Sequence, residues 1–288
     1  MRVRLALLAC TLLPCTGCSR PGEWVPTLWG GPILDDARAP ESAGRFTSDD
    51  GCEVTIHSFV VSLRTGALLT PAGTASAVFS GEQLFDLARP GPHSAASVVL
   101  PAGEYPETVW ITGPSLEPGP STLVGRGALL GTDNAANDAN PALGNAEADQ
   151  RDAMIAAGAA ALLDATVMCG ENTVTVSLLI DDLDALLRCP HDGFAVPGGS
   201  FGATRIEVRG ETLLATSALF PPADADADGV LTILELDGAV GGAFPDDATD
   251  AETEGLDPAR AGDHLRLALR RAWRSESASC AWELLPPS

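Results

Sequence analysis

Twelve residues, Asp224-Ala-Asp-Ala-Asp-Gly-Val-Leu-Thr-Ile-Leu-Glu235, carry the most specific chemistry in this chain. Carboxylates stand at positions 1, 3, 5 and 12 of the stretch (Asp224, Asp226, Asp228, Glu235), and Gly229 falls at position 6, where the chain must turn sharply. A hard cation takes about six to eight oxygens. The stretch offers three monodentate aspartates, the Val230 carbonyl, Thr232 acting through a water, and a bidentate Glu235, so the expected ion is Ca2+. A merely acidic turn has no reason to place glycine, the aliphatic Leu231 and a glutamate at these offsets.

The pattern is that of an EF-hand-type loop with two departures. Pro221-Pro222 lies where an entering helix belongs, and proline removes a backbone donor and clashes with the preceding turn. The entering helix is expected to be short, confined to residues 213–219. No second loop pairs with the first: Asp250-Ala-Glu-Thr-Glu-Gly255 starts correctly, but Asp257 replaces the aliphatic residue and Ala261 the bidentate glutamate, so it reads as an acidic linker. A lone loop implies weak binding, with Kd roughly 10⁻⁴ to 10⁻³ M, as in extracellular modules.

Export is legible at the other end. Residues 1–17 carry Arg2 and Arg4 and then a short apolar run, which is a signal peptide rather than a membrane span. Cys15-Thr-Gly-Cys18 resembles a bacterial lipobox, which implies cleavage before Cys18 and its acylation. Ser19, in place of aspartate, then implies a cell-envelope address, an outer-membrane lipoprotein held to the membrane through Cys18. Four cysteines remain after cleavage, Cys52, Cys169, Cys189 and Cys280. In an exported chain they predict two disulfides, with three connectivities open.

Charge excludes some partners. The formal net charge is −22 over 288 residues, and the chain has no lysine. Such a field disfavours nucleic acid and anionic lipid, and it attracts divalent cations.

Residues 18–50, rich in proline and glycine, read as a tether. Residues 51–115 and 151–210 show short, β-branched runs between turn signals and predict two β regions, separated by a loop or insertion over 116–150. Alternation predicts core positions at Val174, Val176, Leu178, Ile206 and Val208. Residues 211–288 hold the acidic loop, an exiting helix over 232–239 and a last helix capped by Asp257 with Pro258 at its first position, burying Leu265, Leu267, Leu269 and Trp273.

This order of features resembles a group of uncharacterised lipoproteins from GC-rich bacterial genomes, with a lipobox, a β-rich body, one calcium loop and a terminal helix followed by cysteine. The matching pieces are Trp29-Gly-Gly-Pro-Ile-Leu-Asp35, Phe85-Asp-Leu87 with Leu100-Pro-Ala-Gly-Glu-Tyr105, residues 223–236, and residues 263–269 with Cys280. The Phe-Asp-Leu and Leu-Pro-Ala-Gly pair also resembles small immunoglobulin-like or prealbumin-like sandwiches of exported proteins. The implied fold is mainly β, a β-sandwich with a small C-terminal helical part and a single EF-hand-type loop. The resemblance brings no known activity. Where the group often has His-Gly-Asp-His-Leu-Phe, this chain has Arg209-Gly-Glu-Thr-Leu-Leu214, so the second metal that those histidines imply lacks its ligands.

The sequence therefore favours a non-enzymatic protein in which calcium stabilises the fold, with a surface module for glycan or protein as the alternative. A hydrolase is the weaker reading. Gly198-Gly-Ser-Phe-Gly202 fits a nucleophile elbow at Ser200, with Asp263 and His264 downstream, but β-like residues on both sides make it a strand-to-strand turn. The pairs Asp181-Asp-Leu-Asp184 and Asp246-Asp247 read as solvated acidic loops.

Overall fold

The computed structural model describes residues 20–34, 44–114, 145–182, 184–215, 220–276 and 278–285. The expected leader, Cys18 and residues 116–144 of the expected insertion lie outside the described residues. Along the chain, β1 (Gly22–Trp29) and the single turn α1 (Gly31–Leu34) are followed by β2 (Arg45–Thr47), the 17-residue β3 (Glu53–Leu69) and β4 (Ala75–Asp86). Four short strands come next, β5 (His93–Ser94), β6 (Val98–Leu100), β7 (Gly103–Glu104) and β8 (Glu107–Thr112). Helix α2 (Ala148–Ala157) precedes β9 (Ala161–Cys169), β10 (Asn172–Ile180), β11 (Ala185–Pro190), β12 (Ala195–Val196) and β13 (Phe201–Val208). The C-terminal part holds α3 (Gly210–Leu213), α4 (Phe220–Ala223), β14 (Val230–Leu231), α5 (Ile233–Gly238), α6 (Asp250–Thr253), α7 (Ala261–Arg271), β15 (Trp273–Ser275) and β16 (Ala281–Leu284).

Strand β3 organises the body. Its first half pairs antiparallel with β9, from Glu53↔Met168 to Val61↔Ala161, and its second half with β8, from Leu63↔Thr112 to Leu69↔Glu107. The larger sheet runs β14-β10-β9-β3-β8-β11-β16. Strands from residues 51–115 (β3, β4, β8) and from 151–210 (β9, β10, β11), expected as separate β regions, thus share one sheet, because a strand of this length has room for a different neighbour along each half. Its second half is buried on both faces, Ser62, Arg64 and Thr65 included, so no alternation marks it as a strand.

The smaller sheet has the order β15-β13-β1-β5, with β6 also on β1. Its centre is β1, in the segment expected to be a tether. Alternation explains this: Trp24 and Leu28 point inward and are fully buried, while Glu23 points outward. The proline and glycine content of residues 18–50 obscured the strand, and Pro26 is accommodated within it. Both sheets contribute to one core, in which Trp24 of β1 meets Trp110 of β8 edge-on, ring centroids 6.2 Å apart. The five core positions read from alternation are all buried.

Helix α2 falls where the insertion and the second β region were expected to meet. It covers the outer face of the large sheet, packing Met154 against Val60, Leu84 and Leu162. Met154 is its only buried residue, so its sequence carries little apolar periodicity. The last helix also starts later than expected, at Ala261. Residues 259–261 are bonded to Ala239 and Gly241, which holds them as a bridge rather than as a first helical turn. Residues 250–253, expected as linker, form α6, capped by Thr249.

Two disulfides pin the sheet, Cys52–Cys169 and Cys189–Cys280. The first joins the start of β3 to the end of β9 and the second joins β11 to the residue before β16. Both agree with an oxidising compartment outside the cytoplasm. No helix among the described residues is long and apolar enough to cross a membrane.

Candidate metal centre

The acidic loop is held at both ends by the body. Before it, α4 is a single turn containing Pro221 and Pro222, closed by the Asp224 amide on the Phe220 carbonyl at 3.3 Å. Of the expected entering helix over 213–219, residues 216–219 lie outside the described residues; α3 ends at Leu213 and this turn begins at Phe220. Prolines fit a first turn, whose amides have no partner within the helix. Phe220 and Ala223 are buried and anchor α4 to the core.

In the middle of the loop, β14 adds to the edge of the large sheet, with Thr175↔Val230 and Val176↔Leu231 in parallel. Leu231 is fully buried, which fixes the aliphatic position of the motif. Gly229 has φ +84, the left-handed conformation that the sixth position needs. After the loop, Thr232 caps α5, and the exiting helix occupies residues 233–238, close to expectation.

Within this frame Asp224, Asp226 and Glu235 converge, each offering an oxygen within 4.8 Å of the others. Several of these carboxylate oxygens already accept from the loop's own backbone. Asp224 Oδ2 accepts from the Gly229 amide at 3.0 Å and Asp226 Oδ1 from the Asp228 amide at 3.2 Å. Glu235 Oε1 accepts from the Ala225 amide at 3.2 Å, which ties the two ends of the loop together. Its Oε2 accepts from both the amide and the hydroxyl of Thr232 at 2.9 Å, and these bonds hold the carboxyl below its ordinary pKa. The second oxygen of Asp224, Oδ1, is buried without a hydrogen-bond partner.

Of the six expected ligands, three are thus brought together. Asp228 instead turns its Oδ1 to the Val230 amide at 2.7 Å, and the Thr232 hydroxyl is spent on Glu235. An Asp-x-Asp-x-Asp-Gly run can form such side-chain-to-backbone bonds itself, and they compete with outward ligation.

The loop is joined to the helical corner through α5. Asp237, two residues after Glu235, accepts from Arg266 of α7 at 2.6 Å. Arg266 also bonds to Asp263 at 2.8 Å and to Asp181. The acidic pairs expected to be solvated are therefore structural in part: Asp181 meets Arg266, Asp182 is buried against Arg270, and Asp184 meets the buried Arg64 at 2.5 Å. Sequence reading missed these because nothing local marks which arginine a distant aspartate will meet. Gly113 has a separate reason to be glycine: a Cβ there would lie 2.5 Å from Asp184 Oδ1 and 2.7 Å from Arg64 Nη2.

Ser200 lies in an exposed turn between β12 and β13, as its flanking residues implied, and its carbonyl accepts from the Glu23 amide at 3.0 Å. His264 belongs to the α7 corner, bonded to Gly242 and Pro258 and packed on Phe244. No bond joins Ser200 to His264 among the described residues. The other histidines are dispersed. His57 meets Thr166, His93 meets Asn145, and His191 is buried on Thr108.

No family model matches the chain, and no curated protein matches it. Among solved structures, MbnP from Methylosinus trichosporium is similar at a TM-score of 0.35 and 11% identity, over 68% of this chain and 77% of that one. A likeness so remote carries no argument about activity.

Proposed function

We propose that this is a lipid-anchored protein of the bacterial envelope, with a β-sandwich body and an acidic loop that holds calcium as a structural clamp. The observation that carries the calcium reading is the convergence of Asp224, Asp226 and Glu235, which come from opposite ends of the loop. Carboxylates gathered this closely repel one another, and a divalent cation relieves that repulsion. The orphaned Asp224 Oδ1 adds a buried oxygen that lacks a donor. Asp228 and, through a water, Thr232 complete the ligand set with the Val230 carbonyl when they turn from their internal bonds. Two disulfides and the lipobox-like Cys18 support the envelope address, and the single core shared by two sheets supports the sandwich reading.

A cation there fixes the start of α5, and through Asp237 the position of Arg266. Its stabilising effect follows mass action, about 1.4 kcal/mol at ten times Kd. Calorimetric titration of the mature protein with calcium, followed by thermal melting, is the test. The expected outcome is saturable heat and a rise in Tm, both lost in Asp226→Ala. Absence of heat and of a Tm rise at millimolar calcium in the unaltered protein overturns the proposal.

A further inference from the structure

The chain enters the described fold beside an exposed apolar edge. Arg20 and Pro21 run along the turn of residues 197–200, where the Gly199 amide donates to the Pro21 carbonyl at 2.9 Å. One residue beyond that turn, Phe201 opens β13 with 66% of its surface exposed. Glu23 pairs on one side with Phe201 and on the other with Val99 of β6, which is 54% exposed. Single exposed apolar residues are common, but these two flank one position of β1 and point to the same outer face. They stand about 10 Å apart, two strand spacings. Exposed Pro101, Pro197 and the glycine turn continue the edge, with the exposed side chains of Arg20 and Glu23 standing among them.

From Cys18 to Glu23 is five residues, so a fully extended chain spans at most about 18 Å between them. Acyl chains on Cys18 sit in the bilayer, and the sulfur then lies at its surface. We infer that the Phe201–Val99 edge of the small sheet is the protein's membrane-facing contact, seated in the headgroup zone of the bilayer that holds the lipid anchor. This rests on the acylation of Cys18 in the proposed function and adds an orientation to it. Phe201 and Val99 fit the apolar side of the interface, while Arg20 and Glu23 match the phosphate and ammonium of a zwitterionic headgroup. The net charge of −22 opposes attraction to anionic lipid, so the contact is local and apolar rather than electrostatic.

The test uses the full chain, produced with its leader in a bacterial host and reconstituted into phosphatidylethanolamine-rich vesicles. The other cysteines are acylated or paired, so Phe201→Cys, Val99→Cys and Leu234→Cys each accept a single spin label. Leu234, 79% exposed on α5, is the control. Labels at 201 and 99 are expected to gain oxygen accessibility and lose accessibility to a water-soluble nickel chelate several-fold relative to 234. Hydroxyl-radical footprinting of the unaltered protein gives a second reading, with Phe201 protected on vesicles. An acylated protein that floats with vesicles while position 201 stays as water-accessible as 234 overturns this inference alone. Lack of acyl mass on Cys18 overturns both this inference and the lipid anchor.

Discussion

Asp182 and Arg270 form an ion pair with only 1% of either side chain exposed, the arginine Nη2 lying 2.7 Å from Oδ1. Nε of Arg270 bonds to both oxygens of the same carboxylate, and Nη1 donates to the carbonyls of Glu252 and Glu254. One side chain thus joins α7, α6 and the loop after β10. Its guanidinium also lies over the Trp282 ring, 5.5 Å from the centroid.

Removing one partner leaves the other charge buried and unpaired. Asp182→Asn is expected to lower stability by about 3–5 kcal/mol, measured by urea unfolding. Arg270→Met alone has a loss of the same order, because it also strands two carbonyls. The double variant is expected to be less damaging than the sum of the two. A loss in Asp182→Asn below about 1 kcal/mol contradicts this account.

The second prediction concerns connectivity. Four cysteines allow three pairings, and peptide mapping without reduction is expected to recover Cys52–Cys169 and Cys189–Cys280. Each closes a long loop, with sequence separations of 117 and 91 between the paired positions. In the chain-entropy account, loops of this size are worth about 4–5 kcal/mol each, and measured losses run about 2–5 kcal/mol. Replacing either pair with serine is therefore expected to shift the urea midpoint down clearly. A cross-linked peptide joining Cys52 to Cys189 or Cys280 refutes the pairing.

What could be read from the sequence follows the range of the forces involved. Val174, Val176, Leu178, Ile206 and Val208 were legible because alternation is local and one face of each strand is buried. Leu231 and Gly229 were legible because each serves a nearby backbone need, an anchor and a left-handed turn, whereas Thr232, expected to reach the ion through a water, caps α5. The long β3 was only half legible, since burial on both faces erases the alternation that marks a strand. Trp24 in β1 was hidden in a proline-rich segment whose partner, β13, lies nearly 180 residues away. The convergence of Asp224, Asp226 and Glu235 was legible from spacing. The turning of Asp228 to the Val230 amide was not, because that choice depends on rotamers.

The third prediction follows from His191, which is 7% exposed and whose pKa burial pushes down to about 4. Nε2 of the neutral ring shares a hydrogen bond with the Thr108 hydroxyl at 2.9 Å, and that hydroxyl accepts from Trp110 Nε1 at 2.9 Å. In the unfolded chain the imidazole takes up a proton as pH falls through about 6.5, while the native ring resists until about 4. Between those values the unfolded state binds more protons, so stability falls as pH falls. The contribution is fully present above pH 6.5 and declines progressively toward pH 4, with a ceiling of about 3 kcal/mol. Carboxylates with lowered pKa, such as Glu235, act in the same direction nearer pH 4, so the informative quantity is a difference. His191→Gln cannot take up that proton. Urea unfolding at pH 7.5, 6 and 5 is expected to show a shallower loss of stability in the variant than in the unaltered protein. Equal slopes would show that His191 is not the group that couples burial of this corner to protons.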